Sequence, residues 1–125
     1  MPKPRQHHRR VEAGGDDAAI ERCLAAIAQH ADRAELVGVC DIDPQALEAA
    51  VKATGAKGYE RLDDMISDCD PDIVVLCTPS GLHPEQAIQV AAAGKHVMTE
   101  KPMATRWKDG LRMVNACDAA GVRLC

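Results

Sequence analysis

Short apolar runs punctuate the chain, and between them apolar residues recur every three or four positions. Leu36-Val37-Gly38-Val39-Cys40 stops at Asp41, and Ile73-Val74-Val75-Leu76-Cys77-Thr78 breaks at Pro79. Neither run alternates with polar residues, which is the pattern of strands buried on both faces of a parallel sheet. His96-Val97-Met98-Thr99 predicts a further strand closing at Glu100-Lys101-Pro102, and Val122-Arg123-Leu124-Cys125 predicts the start of another. The intervals read as helices. Ile20, Cys23, Leu24 and Ile27 fall at i, i+3, i+4 and i+7 after Asp16-Asp17, in a helix ending near His30. Asp43-Pro44 supplies a cap and a first-turn proline for a helix through Leu47 and Val51 that stops around Gly55. Residues 61–68 predict a short helix with Leu62, Met65 and Ile66 on its apolar side. Pro84 opens an Ala-rich helix ending at Gly94, and a helix from about Thr105 to Ala120 carries Leu111, Met113, Val114 and Cys117 before Gly121.

Strands and helices therefore alternate at short intervals. That order predicts an α/β domain with a doubly wound parallel sheet, joined by right-handed crossovers and covered by helices on both faces. The strands near 36–41, 73–78 and 96–99 are expected to be parallel and adjacent. Residues 1–15 show no periodicity and read as a disordered or diverged N-terminal segment of coil. The domain proper is expected over 16–125.

Composition adjusts this picture in three ways. The chain of 125 residues is 46% hydrophobic but has one Trp, one Tyr and no Phe, so its core must be built from Ala, Val, Ile, Leu, Met and Cys. A net charge of −4 with pI about 5.7 argues against a nucleic-acid partner. The basic start (Lys3, Arg5, Arg9, Arg10) reads as a solvated tail. The six cysteines form no C-x-x-C pair, and scattered His7, His8, Cys23 and His30 do not make a metal site, so no metal is expected. No export signal and no membrane-length apolar run occur, which points to a cytoplasmic protein without a membrane partner.

The candidate chemistry lies at the strand ends. In open parallel sheets ligands bind beyond the carboxyl ends of the strands, where this chain carries Asp41, Thr78-Pro79 with His83, and Glu100-Lys101. Asp41 suits the acid that accepts hydrogen bonds from an adenosine ribose, and a carboxylate there favours NAD over NADP. The plainer alternative is an Asx turn into Asp43-Pro44. The Lys101 ammonium beside a nicotinamide could hydrogen-bond a reacting hydroxyl and help remove its proton during hydride transfer. Glu100 could hold or tune it, and Pro102 would fix the turn. A surface ion pair at a strand end is the plainer alternative for Glu100 and Lys101.

Two blocks carry a family resemblance: Thr78-Pro79-Ser80-Gly81-Leu82-His83, and Gly94-Lys95-His96-Val97-Met98-Thr99-Glu100-Lys101-Pro102-Met103-Ala104. At this spacing the chain resembles the Gfo/Idh/MocA oxidoreductases over residues 24–124. Val97 to Gly121, with Met103-Ala104-Thr105-Arg106-Trp107, is similar to the branch of UDP-N-acetylglucosaminuronate 3-dehydrogenases. The resemblance implies a Rossmann-like fold and NAD-dependent oxidation of a secondary hydroxyl on a nucleotide sugar. By it Asp41 would bind the adenosine ribose, Thr78, Pro79 and His83 would line the cofactor channel, Glu100 would meet the nicotinamide half, and Lys101 would be the catalytic lysine, itself beside the cofactor. The partner implied is a small nucleotide-sugar substrate, with a homo-oligomer left open.

Two departures from that pattern set further expectations. The first strand and the G-x-G-x-x-G/A loop of such a domain are missing or altered, because the region from His7 to Asp17 has no four-residue apolar run. Gly14-Gly15 lacks the fingerprint spacing, and Asp16-Asp17 would set negative charge where a diphosphate sits. With the first strand and loop missing or altered, the sheet is expected to be incomplete, and the family's C-terminal substrate domain is expected to be absent and the chain alone inactive. The alternative function is a truncated, catalytically inactive remnant or a non-catalytic nucleotide-binding or interaction domain.

Overall fold

A computed structural model describes the backbone of residues 7–12 and 17 and the whole of residues 18–125. The elements are β1 (His7–Glu12), α1 (Asp17–Gln29), β2 (Ala34–Cys40), α2 (Pro44–Thr54), β3 (Lys57–Tyr59), α3 (Leu62–Cys69), β4 (Ile73–Leu76), a 3-10 turn over Ser80–Leu82, α4 (His83–Ala92), β5 (His96–Thr99) and α5 (Trp107–Ala120). The strands pair in parallel in the order β3-β2-β1-β4-β5. Strand order reverses between β1 and β4, which makes that gap the topological switch point of the sheet.

Residue alternation along β4 assigns the helices to faces. Val74 and Leu76 join Val97 in a cluster with Met65 and Ile66 of α3, Ala87 and Val90 of α4, and Met113 and Cys117 of α5. Val75 and Cys77, pointing the other way, pack with Ile20 and Ile27 of α1. On β2, Val39 packs with Ala50 of α2. The doubly wound arrangement is thus the one predicted, with two helices on one face and three on the other. As the composition requires, the core is aliphatic and sulfur-bearing: Met65, Leu76 and Met113 are its largest fully buried apolar side chains.

Local chemistry explains the element ends. The Asp43 carboxylate accepts from the Gln45 N–H at 3.2 Å to cap α2, with Pro44 at its first position. Gly55 ends the helix at φ +71°, a left-handed conformation open to glycine. Gly58 in β3 has a different reason: a Cβ there would lie 2.7 Å from Val51 Cγ2, so α2 can sit on this edge strand only over a glycine.

The structure corrects two expectations and adds one element that none anticipated. Residues 7–12, read as coil, form the central strand. The periodicity test reads side chains, whereas β1 is defined by main-chain pairing to β2 and β4 on its two sides. For the same reason β2 and β4 are parallel but not adjacent, since β1 lies between them. The first strand is therefore present in altered composition, His-His-Arg-Arg-Val-Glu. The added element is Lys57–Tyr59, an edge strand that three residues of mixed polarity do not announce. The Gly14-Gly15 pair, Asp16 and the basic residues Lys3 and Arg5 lie outside the described residues. At the other end, Leu124 bridges Val97 in parallel; the Val97 N–H donates to Arg123 O at 2.9 Å, and the Cys125 N–H to Val97 O at 3.0 Å. The predicted strand start at Val122–Cys125 thus begins to pair on the outer side of β5.

Candidate functional site at the strand carboxyl edge

Every sequence-predicted site residue follows the carboxyl end of a strand. Asp41 comes directly after β2, Thr78 and Pro79 follow β4, and Glu100 and Lys101 follow β5. With strands about 4.8 Å apart, the three spacings from β2 to β5 separate the Asp41 and Glu100-Lys101 corners by about 14 Å along the edge. The switch point lies between them.

Asp41 is 2% exposed. Its Oδ1 accepts from the Asp43 N–H at 2.8 Å, and its own N–H donates to Tyr59 O at 3.1 Å. The Asx turn anticipated as an alternative therefore exists, and it holds the carboxylate at the edge rather than competing with a ligand role. Ile42 beside it is 87% exposed, a large apolar side chain on the same edge.

The β4 loop is held from α4. The Thr78 hydroxyl donates to Gln86 Oε1, which leaves its oxygen lone pairs as acceptors. His83 is 1% exposed, with Nε2 2.8 Å from Thr78 O and Nδ1 3.1 Å from Pro102 O. Its ring thus sits between the main-chain carbonyls of two segments and, with a single N–H as a neutral imidazole, donates to one of them. Sequence reading missed Gln86; its spacing of three residues from His83, one helical turn, was the available signal.

Glu100 is half-buried and Lys101 exposed. The Glu100 N–H donates to Leu76 O at 2.9 Å, which ties the β5 end to β4. Glu100 Oε2 faces the Lys101 main-chain N–H at 3.4 Å, so the carboxylate addresses the lysine's backbone. The Lys101–Pro102 peptide is cis.

Two further features lie away from this edge. The Tyr59 hydroxyl donates to Asp68 and lies 2.7 Å from Cys69 Sγ, while Lys57 Nζ reaches Asp68 Oδ2 at 2.6 Å. Burial first, and then the hydrogen bond to Asp68, push the Tyr59 phenol above its ordinary value of 10.0. This cluster fastens β3 to α3. A cavity of about 520 Å³ opens at the opposite, amino edge, lined by Leu24, Ile27, Ala28, Leu36 and Ala53 among others. Its walls are largely apolar, and it touches none of the strand-end residues. Among the described residues no group of three or more His, Cys, Asp or Glu gathers as metal ligands would. Among them, too, no helix is long and apolar enough to cross a membrane.

Comparison with known proteins fits this geometry. Residues 14–125 match the model of the oxidoreductase family with an NAD-binding Rossmann fold, the Gfo/Idh/MocA family. The chain belongs to that family. It superposes on the WlbA dehydrogenase of Bordetella pertussis, crystallised with NADH and UDP-GlcNAcA, with a TM-score of 0.91 and 56% identity, covering 96% of this chain and 36% of that one. Its TM-score against the WlbA dehydrogenase of Chromobacterium violaceum, crystallised with the same two ligands, is 0.92 at 53% identity, covering 98% of this chain and 35% of that one. The glucose-6-phosphate 3-dehydrogenase of Bacillus subtilis is 36% identical over 113 residues, 90% of this chain and 31% of that protein. The chain thus spans about a third of the length of each of these relatives.

Proposed function

We propose that this chain is the cofactor-holding part of an NAD-dependent dehydrogenase that oxidises a secondary hydroxyl of a nucleotide sugar. The observation that carries the reading is the convergence of Asp41, the Thr78-Pro79 loop and Glu100-Lys101 on one sheet edge across a topological switch point. An extended dinucleotide suits that edge: the buried carboxylate of Asp41 lies at one corner, and Lys101 about 14 Å away at the other. The substrate class is supported by the 56% identity with a dehydrogenase crystallised with UDP-GlcNAcA.

Asp41 accepts hydrogen bonds from the adenosine ribose hydroxyls, and its charge disfavours a 2′-phosphate. Thr78, with its hydroxyl hydrogen committed to Gln86, offers lone pairs to donors in the middle of the channel, and Pro79 walls it. Glu100 stands at the nicotinamide half. Lys101, exposed at the end of β5, hydrogen-bonds the reacting hydroxyl and, as the neutral amine, accepts its proton to become the ammonium. Bound there, NAD supplies the hydride acceptor.

A chimera tests this reading. Residues 24–125 replace the aligned third of the Bordetella WlbA dehydrogenase, and reduction of NAD by UDP-GlcNAcA is followed by absorbance. The chimera is expected to turn over, and Lys101→Met to cut turnover by about 10²–10⁴ while NAD affinity is kept. A folded chimera that binds NAD but does not oxidise UDP-GlcNAcA would overturn the substrate reading. One whose turnover survives Lys101→Met would overturn the role of the lysine.

A further inference from the structure

His83 is a buried polar group that the proposed chemistry does not use. At 1% exposure it is among the most buried large side chains of the chain, and it starts α4 directly before Pro84. Its ring bridges two segments far apart in sequence: Nε2 is 2.8 Å from Thr78 O in the loop after β4, and Nδ1 is 3.1 Å from Pro102 O in the turn after β5. Both neighbours are carbonyl acceptors and a neutral imidazole carries a single N–H, so the ring donates to one of them while its other nitrogen packs against the second. Gln86, one turn further along α4, holds the hydroxyl of the same Thr78.

We infer that His83 is a positioning residue that sets the spacing between the β4 loop and the Glu100-Lys101-Pro102 turn, and so fixes Lys101 at the nicotinamide end of the edge. The need for such a clip is physical. Lys101 and Pro102 are exposed, and the Lys101 N–H meets only the long 3.4 Å contact with Glu100 Oε2. Beyond the Glu100 N–H bond to Leu76 O, a contact of that length alone would leave the lysine's backbone weakly held. A proton acceptor displaced by about an ångström from its partner can lose a hundredfold in rate. The clip acts on one end of the edge only, because Asp41 is held separately by the Asp43 and Tyr59 main chain. The inference rests on the proposed cofactor reading for its functional consequence, and on the two ring contacts to Thr78 O and Pro102 O alone for its structural one.

The test pairs two readouts on the same 125-residue chain, with His83→Ala and with His83→Gln, which keeps an amide donor. The first is amide hydrogen exchange, which needs no ligand. In His83→Ala the Glu100 and Leu82 amides, which donate to Leu76 O and Pro79 O, are expected to exchange at least about tenfold faster, while α5 is unchanged; His83→Gln recovers part of the protection. The second compares NAD with AMP, which carries only the adenosine half. NAD affinity is expected to fall about tenfold or more in His83→Ala and AMP affinity to stay within about twofold. Unchanged exchange at Glu100 and Leu82 would overturn the clip. So would losing NAD and AMP binding alike, because His83 would then be a core residue without a specific task at Lys101. If His83→Ala does not fold, His83→Gln decides: protection of the turn and NAD affinity must fall together relative to wild type. A wild-type chain that binds neither ligand sinks the cofactor reading and leaves the exchange result to judge the clip.

Discussion

Replacing Asp41 with Asn separates its two jobs. The carboxylate oxygen Oδ1 already accepts from the Asp43 N–H at 2.8 Å, and Asn keeps an oxygen for that bond, so the turn into α2 survives. What Asn loses is the negative charge and the second acceptor that a ribose diol would use. Hydrogen bonds to a charged group contribute about 1.5–3 kcal/mol, against about 0.5–1.5 for neutral partners. Loss of charge assistance therefore predicts a rise in the NAD dissociation constant of about tenfold. Asp41→Ala, which also frees the Asp43 N–H, should cost more, about a hundredfold. NADP should respond in the opposite sense. A unit of phosphate charge about 4 Å from the carboxylate meets repulsion on the order of 4 kcal/mol at an effective dielectric of 20, and Asn removes it. Calorimetric titration of both cofactors into wild type and Asp41→Asn, with thermal unfolding as a control on the fold, measures the ratio. If Asp41→Asn kept NAD affinity within twofold and gained nothing for NADP, Asp41 would be a turn residue alone.

Three further outcomes follow from the packing. Gly58→Ala forces a Cβ to 2.7 Å from Val51 Cγ2, so urea unfolding should show a loss of about 1–3 kcal/mol. Met113→Ala, at 0% exposure between α5 and the sheet, should cost about 2–5 kcal/mol in the same assay, with NAD affinity unchanged in the fraction that remains folded. Tyr59 is the one tyrosine, so its ultraviolet titration is unambiguous. Its folded value is raised above 10.0, chiefly by burial and then by the Asp68 hydrogen bond, so the stability it contributes is fully present below pH 10 and lost as pH climbs through the folded value. Tyrosinate should appear later in the native chain than in urea, and coincident curves would contradict the burial argument.

The legible parts of this fold were those where side-chain pattern and structure coincide. Ile73–Leu76 and Leu36–Cys40 read as strands because residues buried on both faces of a sheet must be apolar. Asp43-Pro44 and Gly55 framed α2 because caps carry their own chemistry. β1 was illegible for the converse reason: His-His-Arg-Arg-Val-Glu has no apolar signature, and what defines it is main-chain pairing to two strands distant in sequence. β3 is too short for any period to show. At the site, Asp41, Thr78 and Lys101 were readable as polar residues closing apolar runs. The partners that orient them were not. Gln86 and the two carbonyls that hold His83 come together only when the β4 loop folds back on α4 and the β5 turn closes beside it.

The central claim is that the strand carboxyl edge, and not the apolar cavity at the amino edge, takes NAD. Amide chemical-shift mapping during an NAD titration tests it in one spectrum series. The account predicts the largest shifts at residues 41–43, 78–82 and 100–103, with the cavity residues Leu24–Leu36 and Ala53 unmoved. Shifts confined to that cavity, or none at saturating NAD, would contradict it.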